Sequence, residues 1–440
     1  MSRIRRIGAA TLIVAAAWMA IGQAHAESAR PEPQDVVRSW YRMVLELVRH
    51  TPTYSPPVAS RSFAYIGVAA YEAVAGGTPA LQSLAGQLNG LTPLPVREAG
   101  RTYDEAVVVN AAIASTVQGL FANTGPTGQR ALAAMARKTG GEVAAGLTGD
   151  VVRRSQAQGT AIAAHILEWS KDDGGQVVEN MGFPLEFELK PGPAHWVPTS
   201  LISQQQTPLL PDWGQNRTFA MPDGAACGLP PPPSYSEAPG SAFYEEAVEV
   251  LDTVNGLTPE QREIARFWSD DPMLSPTPPG HWLSIALEVL EREQANADLT
   301  VDTIARLGVA LADAFIGCWD AKFKYDLVRP ITYIRRLIDP KWEAILITPP
   351  FPEYPSGHST QSGAAAAVLA SIFGEDFAFE DSTHIRDGLP PRRFPSFWAA
   401  AEEAGISRLY GGIHFRSAID QGLEQGKCIG VYVSALKTRK

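Results

Sequence analysis

Positive charge is scarce in this chain. Lys and Arg number 37 against 47 Asp and Glu, giving a formal net charge of −10 over 440 residues. Nucleic acid and anionic membrane surfaces need the opposite balance, so neither fits as a principal partner. Cysteine is also rare: Cys227, Cys318 and Cys428 show no metal-ligand spacing. They exclude a thiolate metal centre and allow at most one disulfide, with the pair left open. Long apolar runs are missing too, apart from one near the N-terminus at about 8–21. That run follows Arg3, Arg5 and Arg6 and precedes Ala24-His25-Ala26, so it reads as a signal peptide over residues 1–26 of an exported, periplasmic or secreted protein. Its removal takes away three Arg and no acid, moving the formal charge from −10 to −13. No later stretch is long enough to span a membrane.

What is abundant is helical periodicity. Residues 27–171 form an Ala-rich region of amphipathic patterns broken at Pro- and Gly-containing turns, with almost no strand signal. Residues 172–240 lose all periodicity and are rich in Gly, Pro and Trp, with an uninterrupted run at Pro230–Pro233. Such a long irregular segment either covers a core or links two. Helical patterns return over 241–440, at 242–255, 259–269, 282–296, 300–327, 356–373, 396–409 and 415–436. The expected fold is all-α, helices packed as bundles around or beside the irregular middle.

Three short strings in the last quarter carry the chemistry. Lys322 and Arg329 stand seven apart, which on a continuous helix places both on one face, and Pro330 then ends that helix. Pro355-Ser356-Gly357-His358 precedes a run of small residues, so the Ser hydroxyl and the Gly amide sit at a helix N-terminus, where unpaired N–H groups attract anions. Ser407-Arg408 closes another helix before Gly411-Gly412 and His414. Each string alone is an ordinary helix end. Together they supply three cations, a hydroxyl on a Gly turn and two imidazoles, the inventory for binding a tetrahedral oxyanion and reacting at it.

The pattern Lys-x6-Arg-Pro, Pro-Ser-Gly-His and Ser-Arg-x5-His resembles the signature of the vanadium-dependent haloperoxidases and the type-2 phosphatidic acid phosphatase superfamily. The motifs cover residues 319–420. The likeness continues more loosely through 267–282, with Thr277-Pro278-Pro279-Gly280-His281-Trp282, and through Pro211-Asp212-Trp213-Gly214. The resemblance implies helical bundles and a vanadate cofactor held by Lys322, Arg329, Ser356, Gly357 and Arg408, with His414 bound to vanadium. His358 and His414 become the catalytic pair, and hydrogen peroxide and halide the substrates. Trp319 and Phe351 match an aromatic wall of the chloroperoxidase-like members, and each fits core packing equally.

The same cage suits a phosphomonoester, with His414 as nucleophile forming a phosphohistidine and His358 protonating the leaving alcohol. Phosphatases of this superfamily carry an acid four residues after the nucleophile; here that position is Ala418, and Asp420 lies elsewhere on the helix. A third possibility is an oxyanion-binding protein without turnover, which would need neither histidine. His281 and Trp282 fit a cover over the pocket that does not react, although a His at a helix start is more often a hydrogen-bonded structural residue. Asp270 and Asp271 are expected to be a solvated loop pair, and His50, His165, His195 and His384 to be isolated.

Overall fold

A computed structural model describes residues 30–440; the signal-peptide reading lies outside them. Five helices form the first part: α1 (Pro33–Arg49), α2 (Pro56–Ala75), α3 (Glu105–Leu120), α4 (Pro126–Ala144) and α5 (Gly149–Trp169). Eight more follow the irregular middle: α6 (Ala242–Asn255), α7 (Pro259–Phe267), α8 (Thr277–Arg292), α9 (Ala297–Tyr325), α10 (Pro330–Leu337), α11 (Gly357–Phe373), α12 (Phe397–Tyr410) and α13 (Arg416–Ser434). Their starts are local decisions. Thr258 and Gln261 make a capping box at α7, Asn296, Ser356 and Ser396 cap α9, α11 and α12, and Pro occupies the first turn of α1, α2, α4, α7 and α10.

One apolar core joins α1–α3 to α8, α9 and α11–α13. Glycines set the closest approaches. A Cβ on Gly67 of α2 would lie 3.0 Å from the Ala305 Cα of α9, and one on Gly426 of α13 would lie 2.1 Å from the Thr360 carbonyl of α11. Backbone contact this tight fixes the α11 N-terminus against the start of α13, where the Ser356 amide donates to the Ala418 carbonyl at 2.9 Å.

The irregular middle covers this core. Trp196 and Trp213 are buried, Asp313 of α9 accepts the amides of Phe219, Ala220 and Met221, and a disulfide ties Cys227 to Cys428 of α13. Cys318 remains a buried free thiol.

Several local expectations change. Helix α9 stops at Tyr325, where Asp326 takes a left-handed conformation with φ 51°, so Lys322 and Arg329 do not share a helical face. Arg329 is instead the extended cap of α10, and Pro330 opens that helix, because proline lacks the N–H that the first turn leaves unpaired anyway. Helix α8 likewise begins at Thr277, with both prolines in its first turn. A short hairpin, β1 (Phe379–Asp381) antiparallel to β2 (Arg392–Phe394), also stands between α11 and α12.

Candidate active site

His414 is the most constrained side chain of the cluster. Its Nδ1 lies 2.8 Å from Glu353 Oε1, which also accepts the Phe415 amide, and its Nε2 lies 3.2 Å from Arg329 Nη1. A guanidinium only donates, so Nε2 is the acceptor and Nδ1 carries the hydrogen toward Glu353. Burial and the surrounding Arg329, Lys322 and Arg408 hold the ring well below the ordinary histidine range, which keeps it neutral. A neutral ring with a fixed tautomer presents its Nε2 lone pair, as a metal ligand or nucleophile requires.

The sequence placed no partner here. Ala418 is buried with its carbonyl on Ser356, and Asp420 is exposed. Glu353 comes from the proline-rich approach to Ser356 and is fully buried; burial raises its carboxyl to about 8. The single available sign was an acid embedded in Pro-Pro-Phe-Pro-Glu-Tyr-Pro, a composition that otherwise avoids charge.

The three cations take separate roles. Lys322 donates to the carbonyls of Pro352, Glu353 and Pro355 at 2.8, 2.9 and 2.5 Å, strapping down the loop that bears Glu353 and Ser356. Arg329 reaches the carbonyls of Phe351 and Ile413, both at 2.9 Å, and Arg408 that of Trp268 at 2.6 Å. Lys322 Nζ and the Arg329 guanidinium each sit 5.1 Å from the centre of the half-buried Phe351 ring. Trp319 is core: it is buried, stacks obliquely on Phe351 at 4.9 Å and donates to the Leu209 carbonyl. Burial pushes Lys322 down to about 7 and both arginines to about 10; Glu353 opposes this for Lys322 and Arg329, and Asp270 and Asp271 for Arg408.

At the α11 N-terminus the Ser356 hydroxyl accepts the Ser359 amide at 3.2 Å, which leaves its own hydrogen to donate. The Gly357 and His358 amides occupy the first turn, which offers them no intrahelical acceptor. Among the described residues, Arg329 Nη2, Arg408 Nε and His358 Nε2 are buried without a hydrogen-bond partner. Unpaired cationic donors in a buried place are costly unless an anion meets them. The donor set therefore fits a tetrahedral oxyanion such as vanadate, bounded by Arg329, Arg408, Ser356, Gly357 and the two histidines.

Behind His358 lies a charged network that was not legible in the sequence. Asp270 is buried, not solvated; its Oδ2 lies 4.0 Å from His358 Nε2. His281 is fully buried, its Nδ1 3.0 Å from both Asp270 oxygens and its Nε2 2.8 Å from Asp381 on β1. It is thus the hydrogen-bonded structural histidine of the two readings and not a cover. His384 is not isolated either, since it joins Asp270 at 3.1 Å through Nε2 and Asp387 at 3.1 Å through Nδ1. His195 also has a partner, Asp326, at 3.2 Å.

Fold and site together define a helical protein with a buried cationic pocket between two imidazoles. A family model for the VCPO second helical-bundle domain matches residues 302–439. A solved structure described as the first bacterial vanadium-dependent iodoperoxidase superposes with a TM-score of 0.83 at 38% identity, covering 92% of this chain and 97% of that one. A bacterial vanadium-dependent chloroperoxidase in its holo form shares the fold with a TM-score of 0.70 at 16% identity, over 94% of this chain and 97% of that one. The vanadium chloroperoxidase of Curvularia inaequalis is 26% identical over 255 residues, 42% of this chain and 42% of its own. The match thus spans under half the length of that curated relative. The chain belongs to the vanadium-dependent haloperoxidase family.

Proposed function

We propose that the protein is a vanadate-dependent haloperoxidase-like enzyme that oxidises halide with hydrogen peroxide to hypohalous acid. The observation that carries this is the buried pair of unpaired donors on Arg329 and Arg408, beside the unpartnered Nε2 of His358 and a neutral His414 whose tautomer Glu353 fixes. Vanadate bound there supplies a Lewis acid that activates peroxide without a change in its own oxidation state. His414 would hold the metal, the two arginines, Ser356 and the Gly357 amide would neutralise the oxygens, and Lys322 would keep the loop in register. His358 would deliver and accept protons at its free Nε2.

The test compares anion-stripped protein with protein reconstituted in orthovanadate, assayed with peroxide and iodide, then bromide. Vanadate-dependent turnover suppressed by phosphate is the expected result. Folded protein that turns over neither halide would overturn the reading.

One observation favours a second reading. Phosphohistidine chemistry needs an acid to orient the nucleophilic ring, and Glu353 meets that need despite Ala418. Phosphomonoester hydrolysis inhibited by vanadate would identify that activity, and tight anion binding with neither turnover would identify a binding protein. We place the protein outside the cytoplasm, on the support of the Arg-led apolar N-terminal segment and the Cys227–Cys428 disulfide.

A further inference from the structure

The reaction proposed above consumes a proton. Halide gives two electrons to hydrogen peroxide, the O–O bond breaks, one oxygen leaves in hypohalous acid and the other as water, so one proton is taken up per turnover. His358 is the group that would hold it, yet only 14% of its side chain is exposed and the cations around it repel positive charge. A buried acid–base group that must be reloaded each cycle needs a route to solvent.

The network behind His358 has the form of one. Starting from His358 Nε2, which has no partner, the next polar atom is Asp270 Oδ2 at 4.0 Å. From Asp270 Oδ1 the path continues at 3.1 Å to His384 Nε2, and from His384 Nδ1 at 3.1 Å to Asp387 Oδ2. Side-chain exposure rises along it, from 1% at Asp270 through 6% at His384 to 25% at Asp387, which pairs with Arg49 at the surface. A histidine is suited to the middle position, because its charged ring can release a proton to one carboxylate and be reloaded from another.

The remaining groups define the state of this path. All four ring nitrogens of His281 and His384 face carboxylate oxygens, which only accept, so both rings carry two hydrogens. Burial opposes charge on both rings, but Asp270 and Asp381 raise His281, and Asp270 and Asp387 raise His384. Trp268 stacks on His281 at 4.5 Å, and Phe267 sets its edge against His281 and His384. Asp270 is thereby held far below the usual carboxylate range despite its burial. His358 is the opposite case, kept neutral by burial and Arg408, with its hydrogen bond made to the Trp268 carbonyl. A carboxylate oxygen and an imidazole lone pair thus face each other across 4.0 Å, a gap beyond hydrogen-bond length that a small rotation of either side chain would close once a proton lies between them.

We propose that Asp387, His384 and Asp270 form a proton-delivery route from the surface to His358, with His281 and Asp381 as positioning residues that fix the Asp270 carboxylate. His384 gives its Nε2 hydrogen to Asp270 Oδ1 and keeps its Nδ1 hydrogen; the neutral ring then turns to present the vacated nitrogen to Asp387, which has taken a proton from solvent and passes it on. Asp270 then rotates and protonates His358, and its carboxylate returns to its two histidine partners.

This inference rests on the haloperoxidase reading, and its test separates the two. In vanadate-loaded protein at saturating peroxide and iodide in dilute buffer, His384→Gln and the partly exposed Asp387→Asn should each lower kcat on the order of tenfold, with KM for iodide unchanged. Added imidazole should restore turnover, a rescue that a merely structural loss would not show. In vanadate-free protein, nitrogen-15 NMR of labelled histidines should find two doubly protonated, exchange-protected rings at neutral pH, one lost in His281→Gln and the other in His384→Gln.

Unchanged kcat in folded His384→Gln and Asp387→Asn overturns the route, as does a loss that imidazole does not restore. So does one equivalent of tightly held divalent metal that His384→Gln releases, since Asp270, His281 and His384 together are also a plausible ligand set. Wild-type protein without vanadate-dependent turnover but with both rings doubly protonated overturns the functional reading and leaves the proton-holding network standing. Neutral rings in the vanadate-free protein overturn the route alone.

Discussion

His414 and His358 face the same oxyanion site but are held in different ways. His414 is engaged at both ring nitrogens, by Glu353 at 2.8 Å and Arg329 at 3.2 Å, while His358 Nε2 is unpartnered and 4.0 Å from Asp270. A ligand or nucleophile works best with one tautomer and one orientation, which Glu353 fixes at Nδ1; the Arg329 contact shows that Nε2 carries the lone pair, which that guanidinium must yield before a bond forms there. An acid–base group must change its protonation state during the cycle, so a loosely held nitrogen next to a charged carboxylate suits it. On the function proposed above, the pocket would separate binding from proton transfer by how tightly each ring is held.

The largest effect that would break this comparison is His414→Ala. It should abolish vanadate-dependent halide oxidation and also the rise in Tm that vanadate gives the stripped protein. Full activity in that variant would sink the assignment of the site. His358→Gln comes next: kcat should fall by on the order of 10²–10⁴ while the vanadate-induced Tm shift is kept, because the lost group handles protons and does not hold the metal. Equal loss of both would show that the two histidines share one role.

Glu353→Ala should weaken vanadate binding by roughly 10–100-fold, measured by titration against stripped protein, through loss of the tautomer it fixes. Glu353→Gln keeps an acceptor for His414 Nδ1 and should lose less; equal losses would assign the effect to the carboxylate's charge. The His281 network makes a prediction about pH. Burial alone would lower His281, but Asp270 and Asp381 raise it to about 10 in the folded protein. Such a group stabilises fully below its unfolded value of about 6.5, and the contribution disappears as pH rises through about 10. Tm should therefore fall over that interval in wild type and fall less steeply in His281→Gln. Smallest is Gly357→Ala, whose added Cβ would meet nothing nearer than 3.8 Å, at Trp319. Its folding stability should stay within about 0.5 kcal/mol of wild type by denaturant titration.

The same contrast separates what could be read from the chain from what could not. The helix beginning at Gly357, its Ser356 cap and the cations flanking it were legible because caps, prolines and small-residue runs act within a turn or two of chain. The helical face assigned to Lys322 and Arg329 failed because periodicity does not reveal the left-handed stop at Asp326. Their convergence on the Phe351 loop is a result of packing, with each cation 5.1 Å from that ring by a different path. Asp270 was misjudged as solvated because an acid pair in a loop reads the same whether water or two histidines surround it.

The sequence by itself determined the helical class, the presence of an irregular middle segment and a set of groups suited to an oxyanion, since each follows from local conformational preference and side-chain chemistry; that the segment covers the core was decided by packing. Only the tertiary structure decided which tautomer His414 holds and what stands behind His358. The partners involved are 61, 100 and 114 residues apart, for Glu353 with His414, His281 with Asp381 and Asp270 with His384. No local rule reaches across such separations. Those pairs exist because close glycine contacts between α11 and α13, and the hairpin carrying Asp381, bring distant charges into one buried place where each must find its complement.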